Sequence, residues 1–205
     1  NVPIETLNEN EVLIKVSYSS INFKDALSAH GNKGITRKYP HTPGIDAAGV
    51  VEKSTNENVK VGDKVIVTGF DLGMNTPGGF AEYISVPAEW VVKLPENLTL
   101  KESMMYGTAG FTAAMCIYKL IFGGTTTGKV IVSGASGGVG TMSIMILKKL
   151  GFEVAALSRK SDLESFLKKI GADEVLSSLD INQKPVLRPQ FDAGIDTVGG
   201  EVLSS

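Results

Sequence analysis

Cysteine and histidine are scarce in this sequence, which has one cysteine (Cys116) and two histidines (His30 and His41) among its 205 residues. A single cysteine excludes an internal disulfide framework and is typical of a reducing compartment, so we expect a cytoplasmic protein. Because His30 and His41 lack partners at the spacing of metal ligands, the sequence predicts no metal site.

Long apolar runs and a strong net charge are also missing. No apolar run reaches the roughly 18 residues that a membrane span requires, so no membrane-spanning segment is predicted. The 20 basic and 22 acidic residues give a net charge of -2, and this balance offers no basic field for nucleic acid or an anionic membrane. No signal peptide is recognisable. Because the chain begins at Asn1 instead of a methionine, we expect that its true start is missing.

Residues 1–100 have the pattern of a β-rich domain. In "EVLIKVSYS" apolar and polar residues alternate with a period of two, which predicts a strand with one buried face. The apolar members of this pattern are Val12, Ile14, Val16 and Tyr18. Further short strands are predicted in "GVVEKS", "VGDKVIVTGF" and "FAEYISVPAEWVVKLP". One helix is predicted in "FKDALSAHG", which ends at Gly31 and has on one side Phe23, Ala26, Leu27 and His30.

Residues 101–205 alternate between helical and strand patterns. Helices are predicted in "MMYGTAGFTAAMCIYKL", at 141–150 and in "SDLESFLKKIG". Strands are predicted at 130–133 and in "EVAALS", "DEVLS" and "FDAGIDTVGG". This alternation predicts an α/β fold, with a parallel sheet and right-handed crossovers.

Four glycines are concentrated between a predicted strand and a predicted helix in "VIVSGASGGVG", residues 130–140. A strand, a glycine turn and a helix N-terminus form an anion site, because free backbone N–H groups and the positive end of the helix dipole face a phosphate. The dinucleotide fingerprint G-x-G-x-x-G is matched as Ala135-x-Gly137-x-x-Gly140 after an extra Gly134, so alanine replaces its first glycine. We predict a dinucleotide pyrophosphate here; the alternative is a tight turn without a ligand.

A second glycine-rich stretch, "GGTTTGKV", has Walker A spacing at Gly123, Gly128 and Lys129. Val130 occupies the position of the Ser or Thr that holds magnesium, and a strand instead of a helix follows the lysine. The pattern therefore argues against a nucleotide-hydrolysing loop.

The end of the second predicted strand of this half indicates which dinucleotide is bound. NAD-binding folds carry an acidic residue there, about 20 residues after the glycines, for the ribose 2′-OH. This chain has Ser158, Arg159 and Lys160 at that position, and a hydroxyl with two cations suits a 2′-phosphate. We predict NADPH over NADH; the alternative is an ordinary solvated charge pair at a strand end.

Seven motifs lie in order along nearly the whole chain: "YSSINFKDAL" (18–27), "PGIDAAGVV" (43–51), "GGFAEY" (78–83), "MMYGTAGFTAAM" (104–115), "VSGASGGVG" (132–140), "KKIGADEV" (168–175) and "FDAGIDTVGG" (191–200). Together they resemble the medium-chain dehydrogenase/reductase superfamily, and within it the YhdH/YhfP-type group of quinone oxidoreductases and acryloyl-CoA reductases.

The resemblance implies a GroES-like substrate and catalytic domain at residues 1–100 and an NADPH-binding Rossmann domain at residues 101–205. It also implies that both domains are incomplete, because a doubly wound sheet of order 3-2-1-4-5-6 needs two strands after the fourth. The family has a helix between its third and fourth strands, which Pro185 and Pro189 exclude as a regular helix here. For the full-length protein the resemblance implies a homodimer that acts on a small molecule.

Zinc-dependent members of the superfamily carry a Gly-His-Glu motif where this chain has Gly44, Ile45 and Asp46. The resemblance therefore implies a zinc-independent enzyme. Without a Lewis acid to activate an alcohol, the expected reaction is hydride transfer from NADPH to an electron-poor double bond or a quinone.

Site residues follow from the resemblance. The pyrophosphate contacts are Ser136, Gly137, Gly138 and Val139, and the 2′-phosphate contacts are Ser158, Arg159 and Lys160. Thr112 is expected on the nicotinamide side, unless it only bonds its own helix backbone. Phe23 stands where several relatives have a tyrosine that contacts the cofactor, so it can pack there but carries no hydroxyl. Asp46 is expected to fix a loop, and no catalytic acid is assigned.

Two functions stay open from the sequence. The first is an NADPH-dependent reductase, with acryloyl-CoA-like enoyl thioesters, other enones and quinones as competing substrates. Arg37 and Lys38 are cations available for the phosphates of coenzyme A. The second is an NADPH-binding redox sensor or structural protein without turnover, which the missing hydroxyl of Phe23 and the missing acid favour.

Overall fold

The computed structural model of the chain describes residues 7–179 and 189–204. The chain divides into two compact units, Asn1–Thr108 and Ala109–Ser205. Each unit has its own β-sheet and its own hydrophobic core. None of the helices in the described ranges is long and apolar enough to cross a membrane.

The first unit contains a five-stranded antiparallel sheet with the order β4-β1-β2-β3-β5. Its strands are β1 (Glu11–Tyr18), β2 (Asp46–Ser54), β3 (Lys64–Thr68), β4 (Tyr83–Pro87) and β5 (Val92–Lys93), with a 3-10 turn at Ala88–Trp90. The core of the unit includes Val12, Ile14, Val51, Val65, Val67 and Leu72. Four of these strands lie within the stretches that the sequence predicts, and β2 begins three residues before its predicted stretch. The β-rich character of the first half is confirmed.

The alternation predicted for β1 is correct at its start and wrong at its end. Val12 and Ile14 are buried, whereas Tyr18 is 45% exposed. The pairing of β1 with β2 shifts register between Leu13 and Ile14 and again between Val16 and Tyr18. Such an irregularity changes the face on which later side chains lie, so a strict period of two does not extend through the strand.

The helix α1 (Phe23–Ala29) lies where the sequence predicts it, but its predicted apolar face is wrong. Phe23 is 79% exposed, whereas the polar Asp25 and Ser28 are buried. Asp25 accepts two backbone hydrogen bonds at 3.0 Å from the loop before β2, and Ser28 shares a 2.7 Å hydroxyl–hydroxyl hydrogen bond with Thr36. These bonds satisfy the buried polar groups, so a polar face can be the inner one.

The second unit contains a four-stranded parallel sheet with the order β8-β7-β6-β9. Its strands are β6 (Lys129–Ser133), β7 (Glu153–Leu157), β8 (Glu174–Leu176) and β9 (Ala193–Ile195). Its helices are α2 (Leu100–Phe122), which begins in the first unit, α3 (Gly138–Lys149), α4 (Glu164–Lys169) after a 3-10 turn at Ser161–Leu163, and α5 (Glu201–Ser204). The strand order corresponds to 3-2-1-4 of a doubly wound sheet, which confirms the predicted α/β fold class.

The helix α2 begins earlier than the sequence predicts and is bent. Gly107 has non-helical angles, φ 50° and ψ -156°, and the division between the units follows one residue later. Pro185 lies outside the described residues, so the expectation that no regular helix joins β8 to β9 stays a prediction.

Candidate dinucleotide site

The glycine-rich loop between β6 and α3 takes the strand–turn–helix form that the sequence predicts. Gly134 has a φ of 56°, a left-handed conformation that glycine adopts without strain. Ala135, in the first fingerprint position, is fully buried in the core of the second unit. The turn therefore places its left-handed residue at Gly134, which explains why the fingerprint position itself tolerates alanine.

Two further glycines shape the start of α3. A Cβ on Gly140 would lie 2.4 Å from the carbonyl oxygen of Gly134 and 2.7 Å from the Cα of Ala135, so α3 packs directly on the turn. Gly137 is the N-cap of α3 and is exposed. The N–H groups of a first helical turn have no partner within the helix, so this exposed end can receive an anion.

Hydrogen bonds from the segment after β9 hold the turn in place. Ser133, at the end of β6, donates its hydroxyl to Asp196 Oδ1, and Thr197 donates its hydroxyl to the Ser133 carbonyl oxygen at 2.9 Å. The N–H of Gly199 donates to Asp196 Oδ2 at 2.7 Å. The Ser133 hydroxyl and the backbone N–H groups hold the pKa of Asp196 below its usual range. The adjacent strands β6 and β9 flank the point where the strand order reverses, which is where such sheets bind ligands.

A cavity of about 380 Å³ lies beside this turn in the second unit. It brings Ser136 of the turn together with Ser158, Arg159 and Lys160, although the two groups are distant in the sequence. Leu157 and Leu179 give it apolar walls, and among the described residues that line it none carries a carboxylate. The cavity therefore combines an uncharged slot with a cationic end.

The cationic end of the cavity lies at the carboxyl end of β7. Ser158 is buried, and its hydroxyl oxygen accepts a hydrogen bond from the N–H of Lys160 at 3.3 Å. Arg159 and Lys160 are exposed. None of the ion pairs within the described ranges uses either of these two cations, so both are available to an anionic ligand.

Three other predicted contacts lie at or near the start of α3. Gly138 and Val139 form the first turn of this helix and do not line the cavity. Thr112 is half-buried on α2. A Cβ on Gly138 would lie 3.2 Å from the Cβ of Ala109, and Ala109 precedes Thr112 by three residues on the same helix face. This face of α2 is therefore close to the predicted pyrophosphate loop.

Several residues that line the cavity are missed by the sequence analysis, among them Ser177, Ser178 and Val198. Ser177 and Ser178 follow β8, and Val198 follows β9. The carboxyl ends of parallel strands meet at one edge of a sheet, so the residues directly after each predicted strand are the signal that finds them. The two serines add hydroxyl groups to the lining, and Val198 adds an apolar wall.

A buried carboxylate in the first unit collects three hydrogen bonds. Asp46 is 0% exposed. Its Oδ2 accepts a hydrogen bond from Asn22 Nδ2 at 2.8 Å and a second from the N–H of Thr108 at 2.9 Å. Its Oδ1 accepts a hydrogen bond from the Thr108 hydroxyl at 2.6 Å. Asn22 directly precedes the exposed Phe23. A Cβ on Gly107 would lie 2.7 Å from Asp46 Oδ2. Asp46 thus joins the start of α1 to the bend of α2.

The two histidines belong to the first unit and the cysteine belongs to the second. His41 Nε2 is 2.9 Å from the carbonyl oxygen of Gly73, and Cys116 packs against the core of the second unit. Within residues 7–179 and 189–204, no group of three or more His, Cys, Asp or Glu side chains is placed to hold a metal ion.

The first unit matches the family model of the alcohol dehydrogenase GroES-like domain over residues 8–96. The chain is 44% identical over 209 residues to the putative quinone oxidoreductase YhfP of Bacillus subtilis, with 100% of this chain and 63% of YhfP covered. It is 43% identical over 199 residues to the acrylyl-CoA reductase AcuI of Ruegeria pomeroyi, with 95% of this chain and 60% of AcuI covered.

Two solved structures resemble the whole chain. The yhdH oxidoreductase of Salmonella enterica in complex with NADP has a TM-score of 0.93 at 39% identity, covering 99% of this chain and 64% of that one. The Bacillus subtilis protein yhfP with NAD bound has a TM-score of 0.91 at 44% identity, covering 98% of this chain and 64% of that one. The chain therefore spans slightly less than two thirds of the length of these relatives.

Proposed function

We propose that the protein is an NADPH-dependent oxidoreductase of small electron-poor molecules. This proposal starts from the family, because the chain belongs to the medium-chain dehydrogenase/reductase superfamily. One observation carries the proposal: the cavity of the second unit joins the glycine turn to a strand end that carries a hydroxyl and two cations. That combination suits a dinucleotide whose ribose bears a phosphate.

The residues of the second unit fit NADPH. Residues 136–139 would hold the pyrophosphate, because the exposed start of α3 offers N–H groups without helix partners. Residues 158–160 would hold the 2′-phosphate. The Salmonella relative contains NADP and the Bacillus relative contains NAD, so the relatives by themselves do not choose between the two. The lining of the cavity favours NADPH, since its described residues include two cations that suit a 2′-phosphate and none of them is acidic.

NADPH, when bound, supplies the hydride for the reduction. The chain itself would bind and orient the dinucleotide at the carboxyl edge of its parallel sheet, and such positioning lowers the entropic part of the barrier. Thr112 is proposed on the nicotinamide side, and Phe23 is proposed to pack against the cofactor. Phe23 has no hydroxyl to donate, so we assign no proton donor.

The substrates we propose are enoyl thioesters such as acryloyl-CoA, other enones, and quinones. YhfP is named a putative quinone oxidoreductase and AcuI an acrylyl-CoA reductase, so the relatives support both classes. All of these acceptors have an electron-poor centre that takes up hydride without a metal to activate an alcohol.

The test uses the full-length protein that contains this sequence. The loss of NADPH and NADH absorbance is followed with acryloyl-CoA and with a benzoquinone, side by side. We expect turnover with at least one acceptor and a higher kcat/KM with NADPH than with NADH. A higher kcat/KM for acryloyl-CoA assigns an enoyl-thioester reductase, and a higher value for the quinone assigns a quinone oxidoreductase.

A second function is an NADPH-binding redox sensor or structural protein without turnover. The phenylalanine at position 23 favours it, because the resemblance implies a tyrosine hydroxyl at this place in several relatives. Tight NADPH binding without consumption, with either acceptor, would support this alternative and contradict the proposed enzyme.

We also propose that the reaction does not need zinc, because Gly44, Ile45 and Asp46 replace the Gly-His-Glu motif of the zinc enzymes. Incubation with a strong chelator followed by desalting is expected to leave the turnover rate unchanged. Inactivation that added Zn²⁺ reverses would contradict this part of the proposal.

For the full-length protein we propose a homodimer, as the resemblance implies. Light scattering during size-exclusion chromatography measures the molar mass directly. A mass of one chain at micromolar concentration would contradict it.

A further inference from the structure

The residues that follow β9 pack directly on the glycine turn of the second unit. We call residues 196–199 the β9 segment and residues 134–137 the glycine turn. A Cβ on Gly134 would collide with Thr197 Oγ1 and would lie 3.0 Å from Val198 Cγ2. Gly134 and Val198 both line the cavity of this unit. The position of the β9 segment against the turn therefore contributes to the shape of the cavity.

Thr197 and Ser133 exchange two hydrogen bonds. The Thr197 N–H donates to Ser133 Oγ at 3.0 Å, and the Thr197 hydroxyl donates to the Ser133 carbonyl oxygen at 2.9 Å. Ser133 is buried and directly precedes Gly134. Because a peptide group is planar, a bond at this carbonyl also orients the N–H of Gly134. Thr197 therefore acts on the first peptide group of the glycine turn.

Asp196 fixes the β9 segment that carries Thr197. Its Oδ1 accepts a hydrogen bond from the Ser133 hydroxyl and one at 3.4 Å from the N–H of Val198. Its Oδ2 accepts one at 2.7 Å from the N–H of Gly199. An aspartate that bonds backbone N–H groups two and three residues ahead holds a turn in one conformation. The β9 segment is thus held within itself and to the end of β6.

The strand end that carries the two cations is held by other bonds. The N–H of Ser158 donates to the carbonyl oxygen of Leu176 at 2.9 Å, which joins the end of β7 to the end of β8. The N–H of Lys160 donates to the Ser158 hydroxyl at 3.3 Å. The bonds of Asp196 and Thr197 described above go instead to Ser133 and to the β9 segment. The glycine turn can therefore shift while residues 158–160 keep their positions.

We propose that Thr197 and Asp196 are positioning residues for the dinucleotide. They hold the glycine turn where its N–H groups meet the pyrophosphate, and they do not act on the 2′-phosphate contacts. Donors that are already fixed bind an anion more tightly, because less conformational freedom is lost on binding. The inference rests on the proposed function, and it adds two residues that act on the dinucleotide through Ser133.

Three ligands separate the two parts of the proposed dinucleotide site. NADPH carries a pyrophosphate and a 2′-phosphate, and NADH carries the pyrophosphate without the 2′-phosphate. Adenosine 2′-monophosphate carries the 2′-phosphate without the pyrophosphate. The dissociation constant of each ligand is measured by calorimetry with the full-length protein that contains this sequence. These measurements need no turnover, so they are independent of the proposed reaction.

The main variant is Thr197→Val, which removes the hydroxyl and keeps a side chain of similar size. We expect it to weaken the binding of NADPH and of NADH about tenfold each, the effect of one lost hydrogen bond. Its affinity for adenosine 2′-monophosphate should not change. Thr197→Ser keeps the hydroxyl and should bind all three ligands as the wild type does. The matched control is Thr126→Val, which makes the same change at an exposed threonine in the loop before β6, and it should also leave all three affinities unchanged.

A second variant and a second measurement test the same connection from the other side. Ser133→Ala removes the hydroxyl that donates to Asp196 and accepts from the Thr197 N–H, so it should show the same selective loss for NADPH and NADH. Coupling between two sites is reciprocal. Bound NADH should therefore slow hydrogen exchange at the N–H of Gly199, and bound adenosine 2′-monophosphate should not.

Two results would overturn the positioning role. One is unchanged affinity for NADPH and NADH in folded Thr197→Val and Ser133→Ala proteins. The other is an equal weakening of all three ligands, which would indicate a general loosening of the second unit. Selective weakening in a protein without turnover would support the inference and overturn only the proposed reaction. A wild type that binds neither dinucleotide would overturn the proposed function, and this inference with it.

Discussion

Asp46 binds Thr108 through both of its carboxylate oxygens: the Thr108 N–H donates to Oδ2 at 2.9 Å and the Thr108 hydroxyl donates to Oδ1 at 2.6 Å. The carboxylate is fully buried and also accepts from the side chain of Asn22 at 2.8 Å. Two segments far apart in the sequence, the start of α1 and the bend of α2, are therefore joined by one side chain.

Replacing Asp46 by alanine should destabilise the first unit by about 2–4 kcal/mol, because the donors of Asn22 and Thr108 lose their acceptor inside the fold. Asp46→Asn keeps an acceptor oxygen of the same shape and should cost much less. Trp90 is the single tryptophan of the sequence and stacks on Phe70 at 5.2 Å in the first unit. Urea unfolding followed by tryptophan fluorescence therefore measures the change in this unit. If Asp46→Ala and Asp46→Asn lose the same free energy of unfolding, the negative charge of Asp46 matters and its acceptor geometry does not.

The two glycines at the start of α3 should respond differently to alanine. A Cβ on Gly140 would meet backbone atoms at 2.4 and 2.7 Å, and backbone cannot easily move, so Gly140→Ala should cost about 1–3 kcal/mol of stability. A Cβ on Gly137 would be 3.3 Å from its nearest neighbour, the Gly134 carbonyl oxygen. Gly137→Ala should therefore fold but weaken NADPH binding, since the methyl group stands at the proposed pyrophosphate contact.

Thermal unfolding by circular dichroism and NADPH titration, applied to both glycine variants, separate these effects. Normal NADPH affinity in a folded Gly137→Ala protein would argue against a pyrophosphate at this turn.

Arg159→Ala should weaken NADPH binding by about 1–3 kcal/mol, the range for a lost charged hydrogen bond. NADH has no 2′-phosphate, so its binding should stay nearly the same. Lys149, exposed in the last turn of α3, provides a control as Lys149→Ala, with both affinities unchanged. Fluorescence titration of both dinucleotides gives the dissociation constants. An equal loss for NADPH and NADH in the Arg159 variant would refute the 2′-phosphate contact.

Asp196 should make the loop after β9 sensitive to acid. Its pKa in the folded protein is lowered from 3.8, mainly by the Ser133 hydroxyl and then by the N–H groups of Gly199 and Val198. A carboxyl whose folded pKa is lowered stabilises the fold fully above its unfolded pKa, and this stabilisation is lost as the pH falls through the folded value. The bonds should therefore persist at about pH 5 and above and weaken below about pH 4.

Hydrogen exchange at the amides of Val198 and Gly199, corrected for intrinsic rates, measures this effect. In Asp196→Asn the protection of both amides should be lower at neutral pH and should no longer depend on acid. If acid lowers the protection of these amides in Asp196→Asn as much as in the wild type, the group that titrates is not Asp196.

Local features of the chain were predictable because their causes lie within a few residues. The turn at Gly134 and the start of α3 follow from β-branched residues, a cluster of glycines and a helical pattern in succession. The end of β7 was predictable in the same way, and with it the position of Ser158, Arg159 and Lys160. The structure adds the reason why Ala135 is allowed, which is that Gly134 supplies the left-handed residue of the turn.

Features that depend on distant partners were missed. The inner face of α1 consists of Asp25 and Ser28 because backbone groups of the loop before β2 and the hydroxyl of Thr36 are placed to bond them. No periodicity within the helix contains that information. Tyr18 is exposed because of register shifts against β2, and Ser177 enters the cavity because β8 lies next to β7.

The sequence by itself determined the order of strands and helices, the glycine turn with its helix N-terminus, and the cations that follow the second parallel strand. Each of these depends on periodicity, glycine conformation or charge among near neighbours. The tertiary structure alone decided that Ser136 and Arg159 share one cavity and that Asp46 bonds Thr108. Burial and hydrogen-bond partners come from segments that are distant along the chain, and only the packed fold brings those segments together.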